Sequence, residues 1–89
     1  MSDELMANMY YVKASQYFDD GNNSAAISEC NAAISKGIKD AQIFNIRAYA
    51  YLTIGEVLKA RLDFESSLKL NPSDSWVREK INELKSKGY

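Results

Sequence analysis

Apolar positions along the chain recur at helical spacing. Tyr10, Ala14, Tyr17 and Phe18 stand at i, i+4, i+7 and i+8, and Phe44, Ala48, Tyr51 and Leu52 repeat that spacing. A second stripe follows each set: Ala26, Ile27, Cys30, Ala33 and Ile34 after Gly21, and Leu58, Leu62, Phe64 and Leu68 after Gly55, with Ala60 in a small slot. Each unit reads as a helix, a tight turn at glycine and a second helix. The pattern predicts helices near residues 3–20, 23–36, 40–54, 57–70 and 74–87.

The two units are copies. A shift of 34 residues lays Tyr10 on Phe44, Ala14 on Ala48, Tyr17 on Tyr51, Gly21 on Gly55, Ala26 on Ala60, Ile34 on Leu68 and Asp40 on Asp74. Small residues meet small ones and aromatic residues meet aromatic ones, as shared packing slots in a repeat require. Gly21 and Gly55 can enter the left-handed region that ends a helix and reverses the chain. Gly37 and Asn71 stand at matching places after the second helix of each copy and are expected to do the same. Asp40 and Asp74 are placed to cap the next helix, and Pro72 cannot continue the one before it.

A third copy begins and stops. Arg78, Asn82 and Lys85 occupy the slots of Phe44, Ala48 and Tyr51, while Val77, Ile81 and Leu84 keep one apolar stripe. A terminal repeat needs such a wet outer face. The expected architecture is a single all-α domain over residues 1–89, an α-solenoid of antiparallel helix hairpins. Repeat 1 runs from about 7 to 40, repeat 2 from 41 to 74, and a capping helix from 75 to 87.

Composition agrees and removes several function classes. The chain has 89 residues, 46% hydrophobic and 26% charged, which suits one globular core. One Pro and four Gly are too few for the turns of a small all-β fold. No apolar run approaches the roughly 18 residues of a membrane span, and the opening Met-Ser-Asp-Glu is no secretory signal. Membrane insertion is therefore not expected, and a cytoplasmic location is. With 11 Lys+Arg against 12 Asp+Glu, there is no basic footprint for nucleic acid. The chain has no His, which removes imidazole zinc sites and the commonest general base. The single Cys30 suits a reducing compartment and reads as a buried structural thiol. Asp19-Asp20-Gly21-Asn22-Asn23 lacks the ligand spacing of a calcium loop, and Asn22-Asn23-Ser24 reads as a chance sequon. No catalytic residue, metal or cofactor is expected.

These residues resemble the tetratricopeptide repeat, whose pattern runs Trp-x2-Leu-Gly-x2-Tyr, then Ala-x3-Phe, then Pro. Phe44, Ala48, Tyr51, Gly55, Ala60, Phe64 and Pro72 follow it closely. The first copy is looser: Tyr10, Ala14, Tyr17, Gly21 and Ala26 fit, Cys30 fills the aromatic slot, and Ile38 stands in place of the proline. Lys13 and Arg47 replace the leucine, which predicts a half-exposed slot. The resemblance implies a scaffold, not an enzyme, whose concave groove holds an extended peptide or a helix of a partner protein. The alternatives are a self-associating module, or a fragment of a larger scaffold or co-chaperone.

The groove would be lined by the first helix of each pair. Helical spacing assigns to it Asn8, Tyr11 and Ser15, then Asn45, Tyr49 and Thr53, and from the cap Glu79, Lys80 and Glu83. Of these, Asn8, Tyr11, Ser15, Asn45, Tyr49, Thr53 and Lys80 are the partner-binding candidates. Tyrosine offers a large stacking surface with a polar tip, although Tyr11 and Tyr49 could equally pack along neighbouring helices. Family members that hold chaperone C-termini use a clamp of Lys and Asn. Tyr11, Ser15, Ile46 and Trp76 occupy four of its places, and only Lys80 matches, which argues against that ligand. Trp76 either packs on Pro72, the favoured reading, or walls the groove. Leu5, Met6 and Met9 extend the first helix with no preceding repeat to cover Met9, which suggests a homodimer contact.

Overall fold

The computed structural model describes residues 2–89; Met1 lies outside the described residues. Five helices follow in order: α1 (Asp3–Asp19), α2 (Asn23–Ser35), α3 (Ala41–Thr53), α4 (Val57–Leu70) and α5 (Ser75–Ser86). There is no strand among the described residues. The all-helical, hairpin-stacked architecture expected from the sequence is found. Its extents of 41 × 28 × 19 Å make it two helices thick.

Local chemistry sets the helix ends. Asp40 Oδ1 accepts hydrogen bonds from the Gln42 and Ile43 amides at 2.8 and 3.3 Å, and Asp74 Oδ1 accepts from the Val77 amide at 3.2 Å. Gly21 and Gly55 take φ of +79° and +84°. The amides that follow reach back over six residues, Asn22 to the Tyr17 carbonyl and Glu56 to the Tyr51 carbonyl, both at 2.8 Å. A Cβ at either glycine would meet no atom within 4 Å, so backbone conformation selects glycine and space does not. Ile38, in the proline slot, bonds back to the Ala33 carbonyl at 3.2 Å and buries its side chain in the first core.

Asn71 departs from expectation. Its φ is −135° and its ψ 79°, so α4 does not end in a left-handed turn. The residue before a proline is driven to extended conformations, and Pro72 follows directly. The Arg78 guanidinium donates to the Pro72 carbonyl and ties this turn to α5.

The second stripe of repeat 2 also needs correction. Leu58 and Leu62 are 53% and 51% exposed, and the core side of α4 is Val57, Ala60, Phe64, Ser67 and Leu68. Leu62 and Phe64 are two residues apart, about 200° around a helix, so they cannot share a face. In α1, Tyr17 is likewise exposed at its edge while Ala14 is buried.

Two core clusters result. Ala7, Ala14, Cys30, Ala33, Ile38 and Ile43 join α1, α2 and α3; Ala48, Ala60, Phe64, Val77, Ile81 and Leu84 join α3, α4 and α5. Between them Arg47 forks onto Asp63, Nε and Nη2 donating to the two carboxylate oxygens at 2.8 and 2.7 Å. Its Nη1 donates to Asn31 Oδ1 at 2.8 Å, so one side chain binds α2, α3 and α4. At Arg47 the leucine slot is partly enclosed, with Asp63 satisfying the cation, whereas Lys13 in the first copy is exposed.

The stack is curved. Backbones of α1 and α3 approach within 8 Å, whereas those of α2 and α4 do not, so the face of first helices is the inside of the curve. The α3 and α5 backbones stay farther apart than 8 Å, and α5 rests on α4. Large side chains bridge that gap.

Candidate functional site

The inner face has three parts. At its N-terminal end, Glu4, Leu5, Asn8, Tyr11, Asp40 and Gln42 line a depression of about 480 Å³. Asn8 and Tyr11 thus fall together there, as the spacing predicts, and Tyr11 also packs half-buried on the first core.

The middle holds Ser15 and Asn45. Their Oγ and Oδ1 atoms are shielded from solvent and have no hydrogen-bond partner within the protein. Shielded polar atoms are normally satisfied, so these two are unusual. Val12 is 43% exposed and lies a turn from Asn8 and Ser15, which adds an apolar residue that the sequence reading omitted. Thr53 is exposed, but its hydroxyl donates to the Tyr49 carbonyl one turn back at 2.9 Å.

The third part is aromatic and bridges the gap between α3 and α5. Phe18 lies 6.1 Å from Tyr49, and Tyr49 lies 5.6 Å from Trp76, centroid to centroid. Phe64 supports both from below, meeting Tyr49 edge-on at 5.6 Å and Trp76 at 6.1 Å. Such spacings are those of favourable ring pairs. Trp76 nevertheless remains 49% exposed. It is seated on Tyr49 and Phe64. Tyr49 is half-buried and packs on the second core, the first of the two roles considered for it. Burial first, and then the negative field of Asp74, raise the Tyr49 hydroxyl above its ordinary pKa.

Phe18 was missed as a site residue, although a signal existed. It stands seven residues after Tyr11 and three after Ser15, so extending the same face by one turn reaches it. Lys80, the remaining candidate, lies 3.7 Å from Glu83. Hydrogen bonding to Lys87 and the nearby charge of Lys80 hold the Glu83 carboxyl below its usual range.

Away from this face, Cys30 is fully buried, as expected, and burial pushes its thiol up to about 12. Leu5 and Met9 are exposed, whereas Met6 is half-buried against the first core. Met6, Met9, Tyr10, Lys13 and Lys36 border a depression of about 240 Å³ at the N-terminal end. No group of three His, Cys, Asp or Glu side chains that could hold a metal occurs among the described residues. None of the described helices is long and apolar enough to cross a membrane.

The chain is 33% identical to the human mitochondrial import receptor subunit TOM70 over 86 residues, which cover 96% of this chain and 14% of that protein. The rat and mouse proteins of the same description match equally. It is 35% identical to the human protein SGT1 homolog over 72 residues, covering 79% of this chain and 20% of that one. The chain thus spans no more than about a fifth of the length of these relatives. No protein-family model and no solved structure matches it.

Proposed function

We propose that the chain is a tetratricopeptide-like binding module that takes a peptide or helix of a partner protein along its inner face. The observation that carries this reading is the exposed Trp76 seated on Tyr49, with Phe18 continuing the row. Exposed aromatic rings anchored on a rigid core are the kind of group that dominates protein recognition. Similarity to a receptor subunit over nearly the whole chain supports recognition over catalysis. The repeat division adopted is 7–40, 41–74 and a cap at 75–87, and the setting is the cytoplasm.

Within this reading Asn8 and Tyr11 supply polar contacts and Tyr49 supplies the anchor. Ser15 and Asn45, whose Oγ and Oδ1 are shielded, lie between them and become polar contacts only where a ligand reaches those atoms. Thr53 and Lys80 contribute less, since each is already engaged inside the module. Affinity capture from the source cell extract tests it. Wild-type protein should retain a partner that a Tyr11→Ala/Trp76→Ala variant of unchanged helicity loses. Equal retention by both would move the site off this face.

A second reading rests on one observation: Met9 is 49% exposed where its counterpart Ile43 is fully buried by the preceding repeat. Leu5, Met6 and Met9 then form a contact with a second copy of the chain or with further helices of a longer solenoid.

A further inference from the structure

The charges of the inner face are predominantly acidic. Glu4 and Asp40 border its N-terminal depression, Asp74 stands beside Tyr49, and Glu79 and Glu83 follow Trp76 by one and two turns of α5. Lys80 and Lys87 are cations among them, and both lie on Glu83, at 3.7 and 3.3 Å.

Lys39 borders the N-terminal end with Glu4 and Asp40, and several other cations border different surfaces. Lys13 and Lys36 border a separate depression with Met6 and Met9, and Lys69, Arg78 and Lys85 border one between α4 and α5. Arg47 is clasped by Asp63, and Arg61 by Glu65 at 2.6 Å. Glu79 makes no ion pair among the described residues, so its carboxylate is available to a ligand.

We infer that the Tyr49–Trp76 platform receives a basic segment of the partner, seating an arginine or lysine on the open face of Trp76 and beside Glu79 and Glu83. The inference rests on the groove-binding reading and specifies its ligand. An exposed indole attracts a cation to its face, and nearby carboxylates complete the cage. The same charges disfavour an acidic peptide, since like charges meeting across an interface cost several-fold in affinity.

Trp76 is the chain's one tryptophan, so its emission reports on the site itself. The probes are a short peptide alternating Arg and Ala and its counterpart with Glu at every Arg position. The Arg peptide should change Trp76 emission saturably, and the effect should weaken as salt is raised. Glu79→Lys/Glu83→Lys should weaken binding of the labelled Arg peptide about tenfold or more in fluorescence anisotropy. Trp76→Ala should do the same, with helicity unchanged in both variants. Equal or tighter binding of the Glu peptide would overturn the inference. So would Arg-peptide binding unaffected by the variants, or none to the folded wild type. In each case a partner captured from extract through Trp76 would leave groove binding standing and remove only the basic ligand.

Discussion

Met9 and Ile43 hold the same place in successive repeats, yet Met9 is 49% exposed and Ile43 fully buried. Lys13 and Arg47 form a second such pair, as do Glu29 and Asp63. Arg47 is locked by Asp63 and by Asn31 from the preceding repeat, while Lys13 makes no ion pair among the described residues. A slot in the repeat thus fixes which way a side chain points, and the neighbour behind it fixes what the side chain meets. At these slots repeat 1 carries Met9 and Lys13, both exposed, where repeat 2 carries Ile43 and Arg47, one buried and one half-buried.

The sharpest way to break the comparison is at Cys30 and Phe64, which share a slot and are both fully buried. Phe64 carries the second core and supports Tyr49 and Trp76. Phe64→Ala should cost about 3–5 kcal/mol, and Cys30→Ala about 1 kcal/mol. Urea denaturation of the two variants would read the difference. Similar losses would mean that the two cores are equally dependent on this slot.

The next contrast is polar. Asp63→Ala strands the Arg47 guanidinium in an enclosed site, and breaking such a pair from one side costs about 3 kcal/mol. Glu29→Ala, at the same slot of repeat 1, should cost under about 0.5 kcal/mol. If Glu29→Ala proved as damaging as Asp63→Ala, repeat 1 would contain a charge clasp of its own.

The helix–turn–helix plan was legible because it rests on local chemistry: glycines at left-handed turns, Asp40 and Asp74 at caps, and an apolar period. What was not legible involved relations between helices. Counting apolar residues put Leu58 and Leu62 in the core, but the small residues Ala60 and Ser67 mark the true contact line. Asn71 read as a left-handed cap until its proline neighbour is weighed. Of the candidate site, the placement of Asn8 and Tyr11 around one depression followed from spacing. Phe18 and Trp76 required the curvature of the stack, because their meeting with Tyr49 depends on how three helices diverge.

The buried thiol separates the two cores by pH. Cys30 is held near 12 in the folded protein, against about 8.5 in an unfolded chain. The folded value is raised, so above pH ~8.5 the unfolded state binds fewer protons and stability falls, by up to about 1.4 kcal/mol per pH unit. Below pH ~8.5 the contribution is fully present. Tyr49, raised by burial, adds the same sign only at higher pH, above ~10. Urea midpoints at pH near 7.5 and 9.5 should therefore drop for wild type and stay level for Cys30→Ala. An equal drop in the variant would assign the loss to other groups.

The smallest effect concerns the uncovered end. Met9→Lys replaces one exposed side chain by another, so monomer stability should change by less than about 0.5 kcal/mol. Its information lies in mass. If Leu5, Met6 and Met9 pair two copies, sedimentation should show mass rising with concentration in the wild type, and Met6→Lys/Met9→Lys should abolish the rise. A concentration-independent monomer mass in the wild type would remove the homodimer. The exposure of Met9 would then mark a face suited to further helices of a longer solenoid. Either result bears on the same contrast, because it decides whether repeat 1 differs from repeat 2 in its own chemistry or only in its company.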